Sequence, residues 1–181
     1  MRLAKNGGKG AAVISGLYVA DNMNFTHAIQ IDADGQHDLA AVTDFLDQAH
    51  HNPQALVCGY PIYDQTVPLS RLWGRELTNF WVHVNTRSKA LRDAMCGFRV
   101  YPLAQTLPVL PSVKTRRMDF DPDIVVRLIW AGVTVINRPV RVTYPKDGIS
   151  HFRGFSDNMR ISRLHAGHFC TMLLRRMGLA K

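Results

Sequence analysis

A short apolar run at residues 28–31 is followed at once by Asp32, Asp34, Gln36 and Asp38 in the stretch AIQIDADGQHD. Burying neighbouring carboxylates without a counter-charge is costly, so the cluster calls for a cation. Carboxylates two apart in a turn at a strand end can reach one hard cation, whose charge then neutralises a diphosphate. An EF-hand-type calcium loop is excluded, because it wants glycine at its sixth position and glutamate at its twelfth. Counted from Asp32, those positions hold His37 and Thr43. Asp38 reads as the cap of the helix that follows.

The elements that must position these groups form a strand–helix–strand rhythm. HAIQI predicts a strand, DLAAVTDFLDQAHH an amphipathic helix, and ALVCGYPI a second strand. Leu39, Val42, Phe45, Leu46 and Ala49 make the apolar stripe of that helix, and His50 and His51 close it. Such a unit predicts a right-handed crossover in an α/β sheet, with the acidic cluster in the crevice at the strand ends. Upstream, KGAAVISGLYVADNM predicts a helix behind the turn NGGKG. Asn6, Lys9 and the backbone N–H groups of that turn are candidates for holding a phosphate.

Downstream, PLSRLWGRELTNFWVHV predicts a long helix. Leu69, Trp73, Leu77, Phe80 and Val84 share the face expected to pack, and Arg71, Arg75 and Asn79 the opposite one. MCGFRVYP predicts a turn into a strand, and FDPDIVVRLIWAG a helix capped by Asp121 with Pro122 at its first position. VTVINRPVRVTY gives one or two strands, and PKDGISHFRG a polar loop. A last helix starts near Phe155, with Ile161, Leu164, His168 and Met172 on one side. Trp73, Phe80, Trp81 and Trp130 read as packing residues, and His165 and His168 as surface or interface residues.

The 181 residues are one domain's worth, with the 46% hydrophobic and 20% charged composition of an ordinary globular chain. No apolar run approaches the roughly 20 residues of a membrane-spanning helix. The first 20 residues faintly imitate a secretory signal, but three glycines precede the apolar part and no small-x-small cleavage site follows, so that reading is set aside. The net charge is +8, and much of it lies between Arg153 and Lys181. There, six basic residues face the single acid Asp157. That placement argues against nucleic acid and suits an anionic lipid surface. Cys58, Cys96 and Cys170 are odd in number and far apart, which excludes a disulfide framework. They read as buried small hydrophobes in a reducing, cytoplasmic setting.

DADG taken alone resembles the haloacid dehalogenase phosphatases with Asp32 as nucleophile, although that family would place threonine or valine where Gln36 stands. DADGQHD, with NGGKGAA before it and MCGFRVYP and DGISHFR after it, resembles the family 2 glycosyltransferases, polyprenyl-phosphate sugar synthases above all. That resemblance implies a GT-A-like, Rossmann-like mixed α/β sheet flanked by helices. It also implies a nucleotide-sugar donor and an inverting displacement at the sugar's anomeric carbon. Magnesium or manganese would sit on Asp32 and Asp34 with help from Gln36. Arg71, Arg75 and Asn79 would face phosphate, Arg99 would lie near a lipid-phosphate acceptor, and Ser150 and His151 would lie in a mobile loop. For a hydroxyl acceptor the base would be Asp119 or Asp121.

Family members begin with two further strands, so residues 1–153 are expected to form a core lacking its first strands. Residues 154–181 are expected to form a basic amphipathic helix. The strand leading to Asp32 would then have an unpaired edge for another chain to complete, and donor binding would be weak. The chain would sit in the cytoplasm, peripheral to the inner membrane face. A non-catalytic membrane-surface module is the alternative without chemistry.

Overall fold

The computed structural model describes residues 5–63, 67, 69–143 and 154–179, apart from the side chains of residues 69–71. In chain order the elements are α1 (Lys9–Asn22), β1 (His27–Gln30), α2 (Ala41–His51), β2 (Leu56–Tyr63) and α3 (Leu69–Thr86). They continue with β3 (Arg99–Pro102), the short α4 (Leu103–Thr106), a 3₁₀ turn (Leu110–Ser112), α5 (Phe120–Trp130), β4 (Val135–Val142) and α6 (Gly154–Arg176).

The four strands form one mixed sheet in the order β1-β3-β2-β4. β2 and β4 run parallel from Leu56 opposite Val135 to Tyr63 opposite Val142. β3 lies antiparallel to both β1 and β2, so β1 and β2 run parallel to each other but do not touch. The expected strand–helix–strand unit therefore exists with a foreign strand inserted into its middle. Among the described residues β1 is an edge strand, with Ile29 partly exposed on it.

Alternation along the strands divides the core in two. Leu56 and Cys58 of β2 and Tyr101 of β3 join α1, α3 and α5 in a cluster around Phe120, Ile124 and Leu128. Val57 and Val100 face the other way, onto Phe45 and Ala49 of α2 and onto Phe98. Phe45 meets Phe98 edge to face at 4.6 Å, a favourable arrangement of the ring quadrupoles. Leu39 and Leu46, expected on this stripe, are exposed instead. Cys58 and Cys96 are buried, and desolvation pushes both thiols up to about 12. Cys170, expected inside, is on the surface.

α1 begins where the chain presses against the segment before α5. Ala11 N–H donates to the Arg116 carbonyl at 3.1 Å, and Gly8 takes a left-handed φ of 91°. A Cβ on Gly10 would come within 2.6 Å of Phe120 Cβ, so only glycine allows this approach.

α3 packs in the opposite sense to its apolar pattern. Trp73, Leu77 and Phe80 are 78%, 61% and 57% exposed, while Thr78, Asn79, Val82 and Asn85 are buried. The expected core-facing assignment of Trp73 and Phe80 is thus corrected. The polar residues face inward because they satisfy buried backbone: Asn79 Oδ1 accepts the Ala94 N–H at 2.9 Å, and Asn85 Nδ2 donates to the His165 carbonyl at 3.4 Å. Trp81 stays half-buried, edge to face with Phe169 of α6 at 6.3 Å.

α6 docks through Asp157, Ile161, His165 and His168, all buried. His165 and His168 are therefore interior residues rather than surface ones. His168 Nε2 lies 2.9 Å from Asp123 Oδ1, and Asp123 also accepts from Thr115 Oγ1 at 2.8 Å and from Arg127 Nε. Burial alone would raise the Asp123 carboxyl, but His168 and Arg127 outweigh it and hold it below the usual range. Burial, with His168 alongside, pushes His165 down to about 4 from 6.5. The unfolded chain therefore takes up a proton at His165 well before the folded chain does. This contribution to stability is full above pH 6.5 and is lost as pH falls toward 4. Thermal denaturation across that window should show the wild-type chain losing stability, on the order of 3 kcal/mol from this group. In His165→Leu that part of the loss should be absent.

Candidate functional site

The acidic turn after β1 faces α1 and the first turn of α5. Lys9, the first residue of α1, reaches both: its Nζ lies 2.7 and 2.8 Å from the two oxygens of Asp32 and 2.6 Å from Asp121 Oδ2. Burial works against the ammonium, but Asp121 and Asp32 outweigh it and hold the Lys9 pKa above its ordinary value. Asp32 remains one-quarter exposed at the rim, whereas Asp121 is 2% exposed. The expectation that Asp121 caps α5 is corrected. Asp119 holds that position, and Asp121 and Pro122 lie inside the first turn, where proline costs no hydrogen bond.

Behind Asp121 lies a second cation. Arg99 is wholly buried: Nη1 donates to the Asp121 carbonyl at 2.9 Å and Nη2 to the Ala94 carbonyl at 2.7 Å. The same Nη1 lies 3.7 Å from the Asp121 carboxylate. Gln30 Nε2 donates to Asp121 Oδ1 at 3.1 Å, and Tyr101 Oη donates to Gln30 Oε1 at 2.9 Å. This chain of partners offsets charges that would otherwise be prohibitive to bury, with only Arg99 Nε of the guanidinium left without a hydrogen bond. It also corrects the expected role of Arg99, which is sealed from solvent and cannot touch an acceptor. Gln30, Tyr101 and Asp121's buried position were not legible in the sequence; an inward polar residue on each of two short strands was the available signal.

Gly97 backs Asp32 from the other side. A Cβ there would overlap the Asp32 carboxylate, so glycine at this position lets the β3 approach lie flat against the acid. Asp34 is exposed, and its Oδ1 accepts the Gln36 N–H at 3.1 Å across Gly35, whose φ is 71°. Gln36 in turn accepts from Thr143 N–H at 3.0 Å, which pins the turn to the end of β4. His37 packs edge to face on Phe98, and burial depresses its pKa despite the nearby Asp32 and Asp34.

Of the remaining expected residues, Asn6 and Asp119 serve local turns: Asn6 Oδ1 accepts from Gly8 N–H and Asp119 Oδ1 from Arg117 N–H. Arg75 and Asn79 lie together around the segment before β3. Arg75 Nη1 donates to Asp93 Oδ1 at 2.6 Å, and Asp93 also accepts from Met95 and Cys96 N–H. Arg75, Asn79, Asp93, Tyr60, Tyr63 and Arg92 line a cavity of about 270 Å³ at the carboxyl end of β2. Arg92 lies 4.6 Å over the Tyr60 ring. Asp93, which organises this corner, was not singled out in the sequence. Ser150, His151 and the side chain of Arg71 lie outside the described residues.

Asp32, Asp34 and Gln36 offer hard oxygen donors, the type that magnesium and manganese take. Among the described residues no three His, Cys, Asp or Glu side chains gather in metal-ligating geometry. An ion held by Asp32, Asp34 and Gln36 would need further oxygens from a ligand or water to complete its shell.

The mixed α/β sheet with helices on both faces and an acidic turn at a strand end is compatible with the GT-A-like fold of nucleotide-sugar transferases. No protein-family model matches the sequence. The chain is similar to the dolichyl-phosphate beta-glucosyltransferase of Dictyostelium discoideum, 25% identical over 132 residues that cover 68% of this chain. Those residues make up 39% of the relative, so the chain spans about two-fifths of that protein's length.

Arg99→Leu removes a wholly buried guanidinium from beside the Asp121 carboxylate and leaves the Asp121 and Ala94 carbonyls without their donor. Urea unfolding should then show a loss of about 3–5 kcal/mol, the usual cost of breaking a buried pair.

Proposed function

We propose that this chain is the donor-handling part of a family 2 glycosyltransferase that passes a sugar, glucose in the first instance, from a nucleoside diphosphate to a lipid phosphate. The observation that carries this reading is the Lys9–Asp32–Asp121 cluster at the carboxyl end of β1, in a chain similar to a dolichyl-phosphate glucosyltransferase. Magnesium or manganese held by Asp32 and Asp34, with Gln36 beside them, would supply charge neutralisation for the departing diphosphate.

The chain's own residues do the rest. Lys9, at the start of α1, provides an ammonium within reach of a diphosphate on Asp32's side of the crevice. A lipid phosphate is already anionic, so attack with inversion at the anomeric carbon needs no strong base. Asp121, buried and shared between Lys9, Gln30 and Arg99, acts as a fixed counter-charge rather than a proton acceptor. Asp119 remains the candidate base for a hydroxyl acceptor. Arg75, Arg92 and Asn79 line the cavity beside β2 and are the candidates for meeting the acceptor phosphate, the first held in place by Asp93.

Among the described residues no helix is long and apolar enough to cross a membrane. The exposed Trp73, Leu77 and Phe80 of α3 and the arginines of α6 support contact with the surface of the bilayer that carries the acceptor. No observation favours aspartyl-phosphate chemistry at Asp32.

The test is transfer of radiolabelled glucose from nucleoside-diphosphate glucose to a polyprenyl phosphate, read by organic extraction. Label should enter the lipid fraction only with magnesium or manganese present. Asp32→Asn should lower the rate by about 10²–10³, the scale of losing one electrostatic stabiliser. Phosphate release without sugar transfer would overturn the proposal.

A further inference from the structure

The Lys9 ammonium stands where two carboxylates from distant parts of the chain converge, and its two partners are not equally dependent on it. Asp121 keeps Arg99 and Gln30 when Lys9 leaves. Asp32 has no such reserve: among the described residues Lys9 is the one cation paired with it. We propose that Lys9 is an exchangeable internal cation, one that occupies Asp32 in the free protein and is displaced when a divalent ion binds there. The inference rests on the metal-assisted reading above and adds to it the residue that competes with the metal.

Three observations support it. Both Asp32 oxygens lie within 2.8 Å of Lys9 Nζ, so the carboxylate is already chelated by a positive charge. Gly97 is packed against the same carboxylate so closely that even a Cβ would overlap it, which prevents Asp32 from turning away to serve both cations at once. The two carboxylates that Lys9 touches are already offset, Asp32 and Asp121 against Lys9 and Arg99. A divalent ion on Asp32 would therefore meet an ammonium held to the same oxygens, and like charges at such separations repel strongly.

Lys9 is also built to leave. It is the first residue of α1, follows Gly7 and Gly8, and carries an unbranched flexible stem, so its head can swing out while the helix stays docked through Ala11. Linkage makes the competition reciprocal: whatever Lys9 costs the metal in affinity, the metal costs the Lys9–Asp32 pair.

The experiment measures binding of Mn²⁺ alone to the full chain at pH 7, by the electron-spin resonance of free Mn²⁺, for the wild type, Lys9→Met and Lys9→Arg. Lys9→Met should bind about tenfold tighter, within the usual range of coupling between sites, and Lys9→Arg should match the wild type. In parallel, labelling of Lys9 by an amine reagent is followed by mass spectrometry on the wild-type chain, with and without saturating Mg²⁺. Labelling of Lys9 should speed up several-fold with Mg²⁺ while other lysines stay unchanged. If Lys9→Met does not fold, the labelling result decides alone. Mn²⁺ binding of equal strength in wild type and Lys9→Met, or Lys9 labelling unmoved by Mg²⁺, would overturn the exchange and leave the metal reading standing. No Mn²⁺ binding by any of the three proteins would overturn both.

Discussion

Two carboxylates meet beside the end of β1 only because an ammonium stands between them. At about 4 Å and an effective dielectric near 20, two like charges repel by about 4 kcal/mol, comparable with much of a small domain's stability. Lys9 reverses that sign for Asp32 and Asp121, and Arg99 completes the compensation from the core side. The result ties four elements together through one set of charges: α1 brings Lys9, the turn after β1 brings Asp32, α5 brings Asp121 and β3 brings Arg99. Solvent exposure falls off inward in ordered steps, from a carboxylate at the rim to a guanidinium with none.

A second constraint comes from the irregular segment between α3 and β3. Ala94, Cys96 and Phe98 are buried there without regular structure, so their backbone groups need partners from elsewhere. Asp93 takes the N–H groups of Met95 and Cys96, Asn79 takes that of Ala94, and Asn137 of β4 takes that of Arg92. This demand explains why α3 turns its amide-bearing face inward and leaves Trp73, Leu77 and Phe80 outside. The same demand places Arg75 against Asp93 and so shapes the cavity beside β2.

The far side of the molecule follows the same logic with histidine in place of lysine. Asp123 lies two residues beyond Asp121, roughly half a turn around α5, and is held by His168 of α6 and Arg127 of its own helix. Two acids two residues apart, Asp121 and Asp123, thus serve opposite sides of α5's first turn. One is tied to the Lys9–Asp32 cluster and one to the docking of the basic C-terminal helix.

Much of this was legible in the chain itself. Short apolar runs in HAIQI, ALVCGYPI and VTVINRPVRVTY marked three of the four strands, and MCGFRVYP marked the fourth, because apolar runs and turn residues are local properties. The acidic turn and the need for a cation beside it were readable for the same reason, since Asp32 and Asp34 are neighbours. The identity of that cation was not: Lys9 is 23 residues away and Asp121 is 91 residues from its partner Gln30. Nor could the pattern of α3 reveal that its apolar stripe faces out, because what decides the inward face is the backbone of a loop it meets in space. The sequence by itself determined which segments become strands and helices and where carboxylates gather, for these depend on residues close along the chain. Only the tertiary structure decided which charges meet and which helix faces are buried, because Coulomb attraction and hydrogen-bond satisfaction act across space without regard to separation along the chain.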